Sequence, residues 1–93
     1  MPLVDAADHE EIAGRLHGLL IRLADRIPRK DQVVVVEYLD AFEPGLALEH
    51  LTYALGEDER PLADDERADL IALAERMEIG DRVRRDLALC PEP

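Results

Sequence analysis

The sequence contains no serine, no asparagine and no tryptophan, and it has one threonine (Thr52), one glutamine (Gln32) and one cysteine (Cys90). Without serine there is no serine nucleophile and no attachment point for the prosthetic group of an acyl carrier protein, the obvious small acidic helical class. One cysteine forms no internal disulfide. Cys90 sits beside Pro91 three residues from the end, where a thiol lacks the pocket and the base that would lower its pKa, so it reads as an incidental thiol near the tail. Bases are also scarce: 11 Lys and Arg stand against 22 Asp and Glu, a formal net charge of -11. Such a chain repels nucleic acid, and its one basic cluster, Arg82, Arg84 and Arg85, is too small to offset the imbalance.

Other absences narrow the chemistry. No apolar run approaches the ~20 residues that span a bilayer. Met1-Pro2-Leu3-Val4-Asp5 has neither the basic start nor the continuous apolar stretch of a signal peptide, and the expected location is the cytoplasm. His9, His17 and His50 lack the i, i+4 pairing of a helical zinc site, and there is no Cys-x-x-Cys. They read as surface or boundary histidines. Asp64-Asp65-Glu66 lacks the alternating ligands and central glycine of a calcium loop, and glycine-rich phosphate loops are missing. No catalytic residue, metal or cofactor is therefore expected, and an enzyme using Glu and His acid-base pairs is the weakest reading.

What the chain does have is enough apolar material to fold. With 47% hydrophobic residues over 93 positions it lies outside the composition of acidic disordered chains, and its length suits one domain with one core. Ile12, Leu16, Leu19, Leu20, Leu23 and Ile27 follow helical spacing, which Pro28 ends. Gly14 and Gly18 on that segment suggest close approach by another helix. Asp31 is placed to cap a second segment, Gln32 to Phe42. Its Val33-Val34-Val35-Val36 run has strand propensity, yet helix is favoured because no second strand candidate exists to pair with it. As a helix it puts Val35, Leu39 and Phe42 on one stripe and Val33, Glu37 and Asp40 opposite. A third helix, Leu46 to Leu55, would bury Leu48, Leu51 and Leu55, leave Glu49, His50 and Tyr53 outside, and stop at Gly56. A fourth runs from about Asp64 to Glu78 with Leu70, Leu73, Ala74 and Met77 inward and Gly80 as its stop. A short basic fifth covers Arg82 to Leu89. The expected fold is all-α, a compact bundle of four to five helices in a single domain.

The charge is uneven along this bundle. Residues 1–30 hold five acids and five bases, and residues 67–93 hold six acids and five bases, whereas residues 31–66 hold eleven acids against Arg60 alone, a net of -10. Localised charge of one sign suggests steering toward a basic partner. Four of the eleven have local explanations: Asp31 as a cap, and Asp64, Asp65 and Glu66 in a first helical turn, where the macrodipole favours negative charge by ~0.3 to 1 kcal/mol each. Glu37, Asp40, Glu43, Glu49, Glu57, Asp58 and Glu59 remain. They read either as a partner-binding surface or as an ordinary solvated face partly paired with arginines of the first and fifth helices. Tyr53, an outward aromatic among acids, suits an interface anchor. Tyr38 could serve likewise or belong to the core.

Three stretches resemble the MafI family of bacterial immunity proteins: Glu37-Tyr38-Leu39-Asp40-Ala41-Phe42-Glu43-Pro44-Gly45-Leu46-Ala47-Leu48-Glu49-His50-Leu51, then Pro61-Leu62-Ala63-Asp64-Asp65-Glu66, then Leu70-Ile71-Ala72-Leu73-Ala74-Glu75-Arg76-Met77. The most specific part is Glu43 to Glu49, and the resemblance covers about residues 12–79. It implies a small cytoplasmic helical protein that binds and neutralises a polymorphic secreted toxin, often a nuclease, delivered by neighbouring cells. The expected partner is then a toxin domain with a basic surface. From another class comes an acidic scaffold or regulator that binds a basic segment of a different protein, or that forms a homodimer through the valine-rich helix.

Overall fold

The computed structural model describes residues 6–93, so the reading of Met1 to Asp5 lies outside the described residues. The chain is all-α, as expected: α1 (Ala6–Leu23), α2 (Arg29–Asp40), α3 (Pro44–Glu57), α4 (Asp64–Arg76) and α5 (Gly80–Leu87). There is no strand among the described residues. No described helix is long and apolar enough to cross a membrane.

The apolar stripe of α1 is fully inward, with Ile12, Leu16, Leu19, Leu20, Leu23 and Ile27 all buried. Because Pro28 excludes the helical region for the residue before it, α1 tightens into one 3-10 turn (Ala24–Arg26) and Ile27 goes extended at φ -122°, ψ 124°. That leaves carbonyls without helical partners. The chain's one glutamine supplies them: Gln32 Nε2 donates to the oxygens of Ala24 (2.9 Å) and Ile27 (2.8 Å). Gly14 and Gly18 do not mark a helix crossing, because both are exposed and a Cβ on either would meet nothing within 4 Å. Both lie on the side of the helix away from the buried stripe, roughly 180° from its centre for Gly14 and roughly 140° for Gly18.

The valine run is helical. Val35 is buried, Val34 and Val36 are half-buried, and Val33 faces out with Glu37 and Asp40. Two expectations fail here. Asp31 is no cap, because α2 begins two residues before it and the Pro28 carbonyl accepts the first bonds, from the N–H groups of Asp31 (2.9 Å) and Gln32 (3.1 Å). Phe42 is no core residue. Helix α2 stops at Asp40, and Phe42 lies beyond it in the left-handed region at φ 59°, 78% exposed.

Helix α3 is the centre of the bundle, packed against α1, α2, α4 and α5. Pro44 opens it at a position where its missing N–H costs nothing. Its buried residues, among them Ala47, Leu48, Leu51, Thr52, Ala54 and Leu55, cover most of its circumference. The Thr52 hydroxyl is accommodated by donating to the Leu48 carbonyl (3.1 Å). Gly56 is not its stop, since the helix continues through Glu57. The glycine instead allows α5 to cross closely, because a Cβ there would lie 2.6 Å from the Asp86 carbonyl oxygen. Gly80 likewise does not terminate α4 but begins α5.

Among the described residues the three reversals with left-handed backbone are made by residues other than glycine: Phe42 (φ 59°), Glu59 (φ 48°) and Glu78 (φ 60°). Each is followed by an N–H that reaches back to the helix, Glu43 to the Tyr38 oxygen (2.9 Å), Arg60 to that of Leu55 (3.0 Å) and Ile79 to that of Ala74 (2.9 Å). This is the six-to-one bond of the Schellman motif, usually built on glycine.

Two arginines lock the ends together. Arg26 forks onto the buried Glu66 of α4 (2.6 and 2.9 Å), which also accepts from the Ala63 N–H (3.0 Å). Arg67 donates to the carbonyls of Leu87 (2.6 Å) and Cys90 (2.9 Å) at the end of α5. The Leu62 N–H reaches the Pro91 oxygen (3.0 Å). Cys90 is therefore part of the core rather than of a loose tail.

Candidate functional site

The acids singled out from the sequence occupy the outer face of α2, the turn after it, and the two ends of α3. Glu37, Asp40 and Glu43 are exposed at and beside the α2–α3 turn, and Glu57, Asp58 and Glu59 are exposed where α3 ends. A 14-residue helix rises about 20 Å, so these are two clusters rather than one patch. Glu49 and Tyr53 lie between them on the outward stripe of α3. None of the six end acids has an ion pair among the described residues.

Several acids elsewhere are matched. Glu11 meets Arg76 at 2.8 Å and Arg15 at 3.2 Å, and the Arg76 hydrogen bond, with its charge, holds the Glu11 carboxyl below the usual range. Asp65 meets Arg22 at 2.8 Å and is lowered by that hydrogen bond. Glu75 pairs with Arg84. What sets the α2–α3 hairpin apart is that its six unpaired acids stand on a stretch, residues 37–59, with no lysine or arginine of its own.

Glu49 differs from the other six. It is half-buried, with Arg82 of α5 at 3.8 Å. The two line an open groove with Tyr38, Leu46, His50 and Tyr53, floored by α3 between α2 and α5. His50 sits between the two tyrosine rings, 6.4 Å from Tyr38 and 6.2 Å from Tyr53. Asp31, freed from capping, fixes the imidazole through a 2.9 Å contact between its Oδ1 and His50 Nε2. Tyr53 is 45% exposed, while Tyr38 is half-buried and packs partly against the core.

This arrangement offers recognition chemistry: a rigid aromatic floor, exposed Leu46 and Tyr53, and carboxylates at both ends. The one thiol of the chain lies elsewhere and faces inward. The Cys90 thiol is pushed up by burial, opposite to the direction of an activated thiolate. Among the described residues no group of three His, Cys, Asp or Glu side chains is placed to hold a metal ion.

Sequence reasoning missed the exposure of Phe42 and Leu46, the place of Arg82 in the groove and the contact of Asp31 with His50. Gly56 was the available signal for Arg82, because a glycine inside a helix that marks a crossing brings the fifth helix onto the third. Compared with protein-family models, with curated proteins and with solved structures, the chain gives no match, and a functional reading therefore stands on this surface and on the sequence resemblance.

Proposed function

We propose that the chain is an immunity protein that binds a secreted bacterial toxin domain and blocks it sterically and electrostatically, with no chemistry of its own. The observation that carries this reading is the set of six acids on the α2–α3 hairpin that no arginine neutralises. The resemblance to the MafI family, strongest over Glu43 to Glu49, points the same way. A nuclease toxin must present a basic surface to phosphate groups, and a folded acidic hairpin can occupy that surface without being cleaved. Complementary charge acts mainly on encounter, raising association toward ~10⁸ M⁻¹s⁻¹ at low salt. Fast capture suits an inhibitor that competes with substrate for a toxin.

The reading requires a toxin gene adjacent to the gene for this chain; the domain encoded there, made catalytically inactive, is the probe, with association followed by stopped flow across a salt series. Reversing Glu37, Asp40 and Glu43 to lysine together should slow association about tenfold or more at low salt and flatten its salt dependence. Glu49→Lys is measured separately, because it also breaks the pair with Arg82. Unchanged kinetics in the triple variant would sink the acidic-face mechanism. Absence of binding by the wild-type chain would sink the functional assignment.

A further inference from the structure

Phe42 is the only phenylalanine in the chain, and its placement is unfavourable in two independent ways. Its backbone is in the left-handed region at φ 59°, where a bulky L-residue is an outlier and glycine is the usual occupant. Its side chain is 78% exposed. The turn does not need the ring, because the bonds that close it run from backbone to backbone, Glu43 N–H to the Tyr38 oxygen (2.9 Å) and Phe42 N–H to the Leu39 oxygen (3.1 Å). The other two left-handed residues, Glu59 and Glu78, present polar side chains to water. Ile21 is as exposed as Phe42, at 77%, but it rides on the regular helix α1. Only Phe42 combines strain with an exposed aromatic, and observed strain at a surface position is grounds for a functional hypothesis.

We propose that Phe42 is the anchor of the partner interface, its ring entering an apolar pocket rimmed by basic groups on the toxin domain. The inference rests on the immunity reading above and assigns the residue that holds the complex. The ring is one wall of a shallow depression on the chain itself, shared with Ala13, Leu39 and Pro44 and with His9 and Glu10, which gives it a mostly apolar base. Around it stand Asp40 and Glu43, with Glu37 a turn back on α2, all exposed and without ion pairs. An aromatic centre inside a charged rim is the usual form of a binding hot spot. The rim also chooses the occupant. A second copy of this chain would bring Glu37, Asp40 and Glu43 against like charges, whereas a basic rim complements them.

The experiment compares wild type with Phe42→Ala and Phe42→Gly, binding the inactive toxin domain encoded beside the gene. Glycine suits the left-handed backbone, so Phe42→Gly should keep the fold and raise Tm by roughly 4 °C. Both variants should bind at least about 30-fold more weakly, chiefly through faster dissociation, with association within about threefold of wild type. Because the chain has a single phenylalanine, 4-fluorophenylalanine labelling gives one ¹⁹F resonance, which should shift on binding. Full affinity in both variants overturns the anchor and leaves the immunity reading standing. A fall in Tm for Phe42→Gly assigns the ring to the fold and overturns the anchor. Dimers of the wild type that Phe42→Gly dissociates make a second copy the occupant and overturn it as well. A wild-type chain that does not bind the toxin domain overturns both readings.

Discussion

The α-carbon of Gly56 faces the carbonyl of Asp86 so closely that a methyl group there would lie 2.6 Å from the oxygen. The contact is backbone against helix, so a rotamer change cannot relieve it. Gly56→Ala should therefore cost on the order of 1–3 kcal/mol from overpacking, less the ~1 kcal/mol by which alanine is the better helix former. Gly14 and Gly18 are the internal control. A Cβ on either meets nothing within 4 Å, so each change to alanine should stabilise the chain by ~0.5–1 kcal/mol. Urea denaturation of the three variants should give opposite signs.

The Arg26–Glu66 fork makes acid sensitivity predictable. The Arg26 hydrogen bond, helped by the Ala63 N–H and opposed by burial, holds the Glu66 carboxyl below its ordinary 4.5. A depressed folded-state pKa gives stability that is fully present above about pH 4.5 and is lost as pH falls through the folded value. Glu66→Gln should flatten this acid limb of the stability curve. Glu66→Ala at pH 7 should cost about 3 kcal/mol, because it leaves a part-buried guanidinium without its partner. Thermal melts between pH 3 and 7, values chosen as roughly bracketing the transition, read both effects.

Glu59 and Glu78 hold left-handed backbone at φ 48° and 60°, a conformation that costs an L-residue roughly 1–2 kcal/mol. Glycine removes that cost at some expense in unfolded-state entropy. Glu59→Gly and Glu78→Gly should each stabilise by ~0.5–1 kcal/mol. Because the two turns are at the ends of α3 and α4, their effects should add in the double variant within ~0.5 kcal/mol. Failure of both single variants to stabilise would mean that the turns carry little strain.

Cys90 is buried, its thiol raised by that burial, and its own carbonyl is held by Arg67. Iodoacetamide should therefore modify the native protein at least about 100-fold more slowly than the urea-unfolded chain, through lost access and lost thiolate together. Arg67→Ala should restore part of that reactivity by releasing the end of α5. Native labelling as fast as in urea would mean that the C-terminal turn is open.

Much of the fold could be read from spacing alone, because repeated leucines at helical intervals leave one buried stripe per segment, as in α1 from Ile12 to Leu23. Even the valine run was placed correctly, since a strand without a partner is excluded. What could not be read were features set by a neighbour distant in sequence. Asp31 turns from capping to His50 because Pro28 starts the helix early, and Cys90 is buried because Arg67 reaches it from α4. Phe42 misled because continuing α2 by two residues would have put it on the stripe with Leu39. For the candidate site, six of the seven acids expected outside are exposed and Glu49 is half-buried, and the sequence did not show which were neutralised. That depends on where α1, α4 and α5 deliver their arginines, and only Glu49 of the seven receives one.

Helix α3 touches every other helix and leaves only a narrow strip, Gly45, Leu46, Glu49, His50, Tyr53 and Glu57, in reach of solvent. A helix so enclosed tolerates little sequence drift, whereas the outer face of α2 and the turns at residues 41–43 and 58–60 are constrained mainly by backbone shape. In a lineage that had to keep pace with changing partners, substitutions should accumulate on those outer segments while α3 stays nearly constant. The chain would then diversify as a fixed spindle with an interchangeable rim.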